Sequence, residues 1–365
     1  MTYTLIGSPA SLFTGKVRGY LRWKGIPFEE VLSTADIYRD IIVPKVGWPV
    51  IPVVQTPDGR TIQDSADIIA YFEGHETGIP VIPAGAVQGL ATLMLQLFGD
   101  EWLVIPAMHY RWNYNADWIC GQFGQTSAPD ATPEEQRAIG QAIGDRFRSM
   151  VPVLGVDETT IPGIEASYEA FLEAFSAHLA KHPFLFGTQP SLGDFALLGP
   201  LYAHLYRDPK SGELMRRIAP YVARWVVSCH NPADIDGEYL EHDECPETIL
   251  PMFQWQAAEQ IPFLIETSKL LAKWASQNSP GTVVPRALGE LPFSIGGRQG
   301  KRAALTFSLY RLQMVLDHLQ SLCTADRSRA DQFLSNVGAE SLSEFLLPCR
   351  LERKNFQLVL GAAND

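Results

Sequence analysis

Cysteine is scarce in this chain and never paired by spacing. The five residues, Cys120, Cys229, Cys245, Cys323 and Cys349, are odd in number, scattered, and form no C-x-x-C pair. They read as reduced, mostly buried thiols of a cytoplasmic protein rather than as a disulfide framework. Positive charge is also short, since 29 Lys and Arg face 41 Asp and Glu and leave a formal net charge of -12. A nucleic-acid or anionic-membrane surface calls for clustered cations, so neither partner is expected; a small molecule or a protein is. No window approaches the ~20 apolar residues of a membrane span, and the opening MTYTLIGSPASLF has no basic region ahead of an apolar one. Neither secretion nor insertion is expected.

What is present is a globular composition. The 365 residues are 46% hydrophobic, enough for ample core. At roughly 100–200 residues per domain, two domains are expected, or two and an extension.

The first segment alternates strand and helix signals. YTLIG is a short apolar run, Val17 and Leu21 follow at helical spacing, and Gly25 ends that helix. IPFEEVL forms a second strand, and ADIYRDIIVPK a short helix closed by Pro44. IPVVQT and RTIQD flank the turn PDG as an antiparallel hairpin, before a helix that begins at Ser65. The order βαβ then ββα, in fewer than about eighty residues, is thioredoxin-like.

After GHETGIPVIPAG, whose Gly and Pro mark a linker, the pattern turns helical. AVQGLATLMLQLFGDEWLVIPAMHYRWNY reads as one long helix bent near Pro106. TPEEQRAIGQAIGDRFRSMV opens with a Thr cap, Pro and two acids, and GIEASYEAFLEAFSAHLAKHP is amphipathic. In QPSLGDFALLGPLYAHLY, Ser191 and Asp194 stand three apart before an apolar run, a variant capping box. SCHNPADIDGEYLEHDECPE reads as an acidic connector to a mainly helical remainder. That remainder holds Trp255, Phe263, Leu264, Leu270, Leu271 and Trp274. It carries too much apolar surface to stay in water, so it is expected to pack on the helical domain. RALGELPFSIGGRQGKRAAL is a short hairpin or a loop, and PCRLERKNFQLVL alternates weakly.

In order, SPASLFTGKVR, VIPVV, QDSADI and PSLGDFALLGP resemble the pattern of the glutathione S-transferase superfamily over roughly the first 230 residues. The later part is similar to the extension of long bacterial glutathione-transferase-like proteins. The resemblance implies a thioredoxin-like glutathione-binding domain over residues 1–77, an all-helical domain over 86–235 and an extension over 246–365. It also implies a cytoplasmic homodimer that binds glutathione and a small hydrophobic electrophile and uses no metal. No Tyr or Cys stands between Gly7 and Gly19, so the resemblance is to the serine-type members, and disulfide-exchange chemistry is not expected.

By that resemblance Ser11 is the sulfur-activating residue, with Thr14 next and Ser8 third. A thiol of pKa near ~8.5 is only a few per cent ionised at pH 7, and a helix start with a hydroxyl favours the thiolate. Ser11 or Thr14 can equally be the cap of a helix beginning near Gly15 or Lys16. Pro52 is expected cis, exposing the Ile51 backbone to glutathione like an added strand, with Pro49 as a competitor and a plain trans proline as the alternative. Asp64 and Ser65 are assigned to the γ-glutamyl end, or to simple capping. Val50 replaces the polar residue common in the family, leaving Lys45 or Trp48 for the glycyl end. His109, Tyr110, Trp112 and Tyr114, with Trp118, form an aromatic passage that suits an acceptor pocket, although such stripes are more often core.

Three signals are declined. His178 and His182 in HLAKH lack further metal donors, DIDGEYLEHD has Pro232 where a calcium loop needs its first ligand, and IGGRQGKR lacks the phosphate-loop Ser or Thr. The alternatives to a transferase are a glutathione-binding or interaction protein without turnover, and a scaffold whose extension binds another protein.

Overall fold

The computed structural model describes residues 2–75, 78–232 and 237–363. The chain runs β1 (Tyr3–Gly7), α1 (Leu12–Trp23), β2 (Phe28–Leu32), the short α2 (Ala35–Ile37) and α3 (Val43–Val46), β3 (Val53–Gln55), β4 (Thr61–Gln63) and α4 (Ser65–Glu73). Then follow α5 (Ala86–Glu101), α6 (Val104–Tyr114), α7 (Ala116–Ser127), α8 (Pro133–Arg148), α9 (Ile161–Leu179), α10 (Leu192–Pro200), α11 (Pro209–Ile218) and α12 (Pro220–His230). The last part comprises α13 (Leu250–Trp255), α14 (Ile261–Ala275), β5 (Ala287–Ile295), β6 (Arg298–Leu305), α15 (Thr306–Ser321), α16 (Thr324–Asn336), β7 (Cys349–Lys354) and β8 (Gln357–Ala363).

The first four strands form one sheet in the order β2-β1-β3-β4. β1 and β2 are parallel, from Tyr3 opposite Phe28 to Gly7 opposite Leu32, and β3 is antiparallel to both β1 and β4. This is the thioredoxin-like βαβ-ββα arrangement. Leu5, Ile6, Val53 and Val54 are buried with Val17, Tyr20 and Leu21 of α1 and Ile68, Ile69 and Phe72 of α4. Tyr20 donates to Glu73 at 2.7 Å, and Glu73 also pairs with Lys24 at 2.8 Å, which ties α1 to the end of α4.

Contacts divide the chain into two compact units, one of Met1–Val81, Pro106–Val151 and Phe195–Asp236, the other of Ile82–Ile105, Pro152–Asp194 and Gly237–Asp365. The expected ranges 1–77, 86–235 and 246–365 follow the chain instead, and their edges at 77 and 235 lie outside the described residues, as does part of the calcium-loop imitation.

In the first unit α1 packs closely on residues 195–206 because its facing side is bare. A Cβ on Gly15 would lie 3.1 Å from the Tyr202 ring, and one on Gly19 would lie 2.6 Å from Leu198. Four residues apart, the two glycines make one shallow groove along the helix.

In the second unit α15 and α16 lie against α5. Gln256 and Gln260 donate to the carbonyls of Met94 and Leu97 at 2.8 and 3.1 Å, and Ser308 donates to Glu101 at 2.6 Å. Asp243, read from the sequence as part of a connector, accepts the first-turn amides of Val87 and Gln88 at 2.9 and 2.8 Å and so caps α5 from afar. Ser191 and Asp194 bond reciprocally at the head of α10: Asp194 accepts the Ser191 amide at 2.8 Å, and its own amide donates to Ser191 Oγ at 3.4 Å. The unit also carries two β-hairpins, β5–β6 and β7–β8, where the sequence pattern was weak. Gly296 and Gly297 take positive φ of 53° and 73° at the first turn, a conformation natural to glycine.

Two expectations are corrected. The long helix is not one bent rod: α5 ends at Glu101 and α6 starts at Val104, so the break falls at Trp102, four residues before Pro106, where the proline ring would meet a helical carbonyl. The stretch Ala86–Tyr114 is long and apolar enough to cross a membrane, contrary to the sequence reading, but 89% of its most apolar window is buried within the protein.

Candidate active site

The site is built on the loop between β1 and α1. Ser11 is the N-cap of α1, its Oγ accepting the Thr14 amide at 3.2 Å while its own amide donates to the Ser8 carbonyl at 3.1 Å. The helix therefore begins at Leu12, earlier than the expected Gly15 or Lys16. The three hydroxyls are not equivalent. Ser11 is partly exposed, Ser8 is buried with its Oγ accepting from the Ala10 amide at 3.2 Å, and Thr14 is fully enclosed. Thr14 turns its hydroxyl toward the Ser8 amide at 3.5 Å and its methyl against Gly7, where a Cβ would come within 2.2 Å. Of the three hydroxyls, Thr14 is therefore the one enclosed by protein and Ser11 the one open to solvent.

The Ile51–Pro52 bond is cis. Pro52 is buried and Ile51 half-buried, while Lys45 is exposed at the end of α3 and Trp48 half-buried just beyond it. Asp64 caps α4 through an oxygen accepting the Ala66 amide at 2.9 Å, from a backbone held at φ 84°. An Asp in that region is uncommon and costs energy that its surroundings must supply. Ser65, the next residue, is buried, and its Oγ has no hydrogen-bond partner among the described residues.

The aromatic passage splits. His109, Tyr110 and Tyr114 stay together, with ring centroids 5.1 to 5.6 Å apart, and His109 accepts from Asn113 at 2.7 Å. His109 and Tyr110 are buried and Tyr114 is exposed. Trp112 points elsewhere: it stacks on Phe147 at 6.3 Å, with Phe123 at 6.2 Å, inside the packing of α7 and α8. Trp112 is thus buried among the aromatic rings of α7 and α8, apart from the group that His109, Tyr110 and Tyr114 form.

Between these residues lies one that sequence reasoning passed over. Arg111, buried, donates from Nη1 to the Ala10 carbonyl at 2.7 Å, from Nη2 to the Ala203 carbonyl at 2.5 Å, and from Nε and Nη2 to Asp208 at 2.7 and 2.8 Å. Ala10 lies in the turn before α1, Ala203 within the helical stretch 201–206 and Asp208 at the head of α11, so one guanidinium ties the backbone immediately before Ser11 to both. Nearby, His230 lies 3.9 Å from the Tyr202 ring and is held neutral, its pKa pushed down to about 3 by burial and then by Arg18 and Arg22.

The family model described as "Glutathione S-transferase, N-terminal domain" matches residues 5–79, and "Glutathione S-transferase, C-terminal domain" matches residues 158–226. Both domains of the glutathione S-transferase family are thus matched in this chain, in N- to C-terminal order. Among solved structures it is similar to a glutathione S-transferase from Rhodospirillum rubrum F11, at 17% identity, covering 67% of this chain and 97% of that one, with a TM-score of 0.42. It is also similar to the beta-etherase LigF from Sphingobium sp. strain SYK-6, at 18% identity, 64% and 97% coverage, and a TM-score of 0.47. A third is a glutathione S-transferase from Methylobacillus flagellatus KT with GSH bound, at 18% identity, 64% and 97% coverage, and a TM-score of 0.39. No curated protein matches the chain.

Relative to the superfamily models, Ser11, Ile51, Pro52, Asp64 and Ser65 fall inside the first match and Asp208 inside the second. Arg111 lies between the two matches. Its signal in the sequence was a lone Arg within the mostly buried run AMHYRWNY, a position where a cation requires a partner.

Proposed function

We propose that this chain is a glutathione transferase in which Ser11 hydrogen-bonds the glutathione sulfur and the thiolate attacks a small electrophile. The observation that carries the reading is the Ser65 hydroxyl, buried at the first residue of α4 with no partner among the described residues. A buried hydroxyl left unsatisfied is costly, and a carboxylate at this helix start gives it an acceptor. The γ-glutamyl end supplies that carboxylate. The Ile51 backbone stands beside the cis proline for the cysteinyl portion, and Ser11 stands at α1 for the sulfur. Capping and activation are compatible at Ser11, since its oxygen accepts the Thr14 amide while its O–H remains a donor. The amides of Leu12 and Phe13, without intrahelical acceptors, add to the positive end of α1. In the reaction the sulfur lone pair forms a C–S bond and the leaving group departs with its electron pair.

The test compares wild type with Ser11→Ala for retention on immobilised glutathione, the thiolate absorbance of the bound tripeptide against pH, and turnover with chlorodinitrobenzene. Ser11→Ala is expected to raise the bound thiol pKa and lower kcat about 10- to 100-fold, the worth of one hydrogen bond to a charged group. Retention without turnover in wild type selects the binding-protein alternative, and no retention at all rejects both.

A further inference from the structure

The cations gathered around Tyr202 are unequally matched. Arg18 gives Nε and Nη2 to Glu30 at 2.7 and 2.5 Å, and Arg111 takes Asp208 together with two carbonyls. Arg207 lies over the rings of Trp118 at 5.9 Å and Tyr202 at 6.0 Å, and its Nη1 is buried without a hydrogen-bond partner among the described residues. Arg18, also 6.0 Å over Tyr202, has a buried Nη1 in the same condition. The carboxylate next in the chain, Asp208, is already held by Arg111. Burial disfavours the charge on Arg207; Tyr202 and Asp208 favour it and Arg111 and Arg18 oppose it, and the net effect is a lowered pKa. The buried Nη1 of Arg207 is thus a donor left without an acceptor among the described residues, one that an oxygen of a bound ligand can satisfy.

We propose that Arg207 binds the acid group of the acceptor substrate, so that the preferred electrophile is an anion: a carboxylate, or a comparable oxyanion, on an aromatic body. This rests on the transferase reading above. The location follows from two contacts. Arg111 joins the Ala10 carbonyl, one residue before Ser11, to Ala203 and Asp208 on either side of Arg207. The Tyr202 ring lies against Gly15, in the first turn after Ser11. Two aromatic faces hold the guanidinium by cation–π attraction and leave its edge as a planar fork suited to a bidentate oxyanion. In a chain of net charge -12 this cluster is where an anionic substrate finds a favourable potential.

The experiment measures kcat/KM, each normalised to the uncatalysed rate, for a chloronitrobenzoate and its methyl ester, in wild type, Arg207→Gln and Arg207→Lys, with benzoate binding followed by calorimetry. Wild type is expected to favour the acid by about tenfold or more, as a hydrogen bond to a charged group warrants. Arg207→Gln should bring the ratio to parity, and Arg207→Lys should fall between. An acid-to-ester ratio at or below parity in wild type overturns the proposal whether or not the variants fold. So does an unchanged ratio in a folded Arg207→Gln. If neither electrophile turns over, the transferase reading fails by itself. Benzoate binding that is present in wild type and lost in Arg207→Gln then sustains the anion site, and its absence from wild type rejects it.

Discussion

The Arg111 guanidinium stands 2.7 Å from the carbonyl oxygen of Ala10, the residue that precedes Ser11. The same group forms a fully buried pair with Asp208. The position of the Ser11 loop is therefore set by two residues that lie far from it in sequence.

Removing one member of this pair should be severe. Arg111→Met leaves Asp208 buried without its cation and two carbonyls without a donor, at a cost of about 3–5 kcal/mol. A guanidinium chloride titration measures it. The double variant Arg111→Met with Asp208→Leu should recover much of the loss, and a double variant no better than the single would show that the pair is not what is lost.

Ser65→Ala is expected to weaken glutathione binding about tenfold while leaving the melting temperature unchanged or slightly higher. The hydroxyl has no partner among the described residues to lose, so its deletion removes a buried polar atom at no structural cost. Calorimetry on wild type and variant decides; equal affinities would move the γ-glutamyl end elsewhere.

His178 predicts an acid limb to stability. Its Nε2 lies 3.0 Å from the Phe184 carbonyl, which only accepts, so Nε2 carries the proton and Nδ1 accepts from Thr248 at 2.7 Å. Burial lowers its pKa from 6.5 to about 4. Because the unfolded chain binds the proton more readily, the contribution is full above pH ~6.5 and fades as pH falls toward about 4, by up to roughly 3 kcal/mol. His178→Gln should flatten that limb in urea midpoints taken across the range. The same bonds explain why the His178–His182 spacing marks packing and not a metal: both ring nitrogens of His178 are already engaged.

A chain ended after Glu244 should not retain the wild-type melting temperature. It lacks Gln256, Gln260 and Ser308, which bond to α5, and it uncovers the face that α15 and α16 occupy. Scanning calorimetry on the truncated and full chains, with solubility as a second readout, checks this. Identical transitions would make the extension dispensable.

The first seventy-five residues were the most legible part, because their signals are local. Strand alternation, the Gly25 stop, the turn at PDG and the hydroxyls before α1 each act over a few residues, and the structure places Ser11 at the cap and Pro52 in cis. The separation of Ser11 from Thr14 was not legible, since it depends on how the Thr14 methyl meets Gly7. The Arg111–Asp208 pair spans 97 positions and leaves no periodic trace. Trp112 shares its sequence neighbourhood with His109 and Tyr110 but not their surroundings, because α7 and α8 supply Phe123 and Phe147 from later in the chain. The two hairpins of the C-terminal part were faint because their strands are half-exposed and alternate imperfectly.

The division of the chain into two units also bears on how it is made. The polypeptide passes from one unit to the other after residues 81, 105, 151, 194 and 236, so each unit is assembled from three separate stretches. On a ribosome adding about 5–20 residues per second, the thioredoxin-like segment emerges roughly ten to thirty seconds before Tyr202, Asp208 and the rest of its own unit exist. During that interval the groove of Gly15 and Gly19 and the carbonyl of Ala10 have nothing to meet. A nascent chain arrested beyond residue 236 should protect α1 from protease, and one arrested near residue 100 should not. No single cut yields either unit whole.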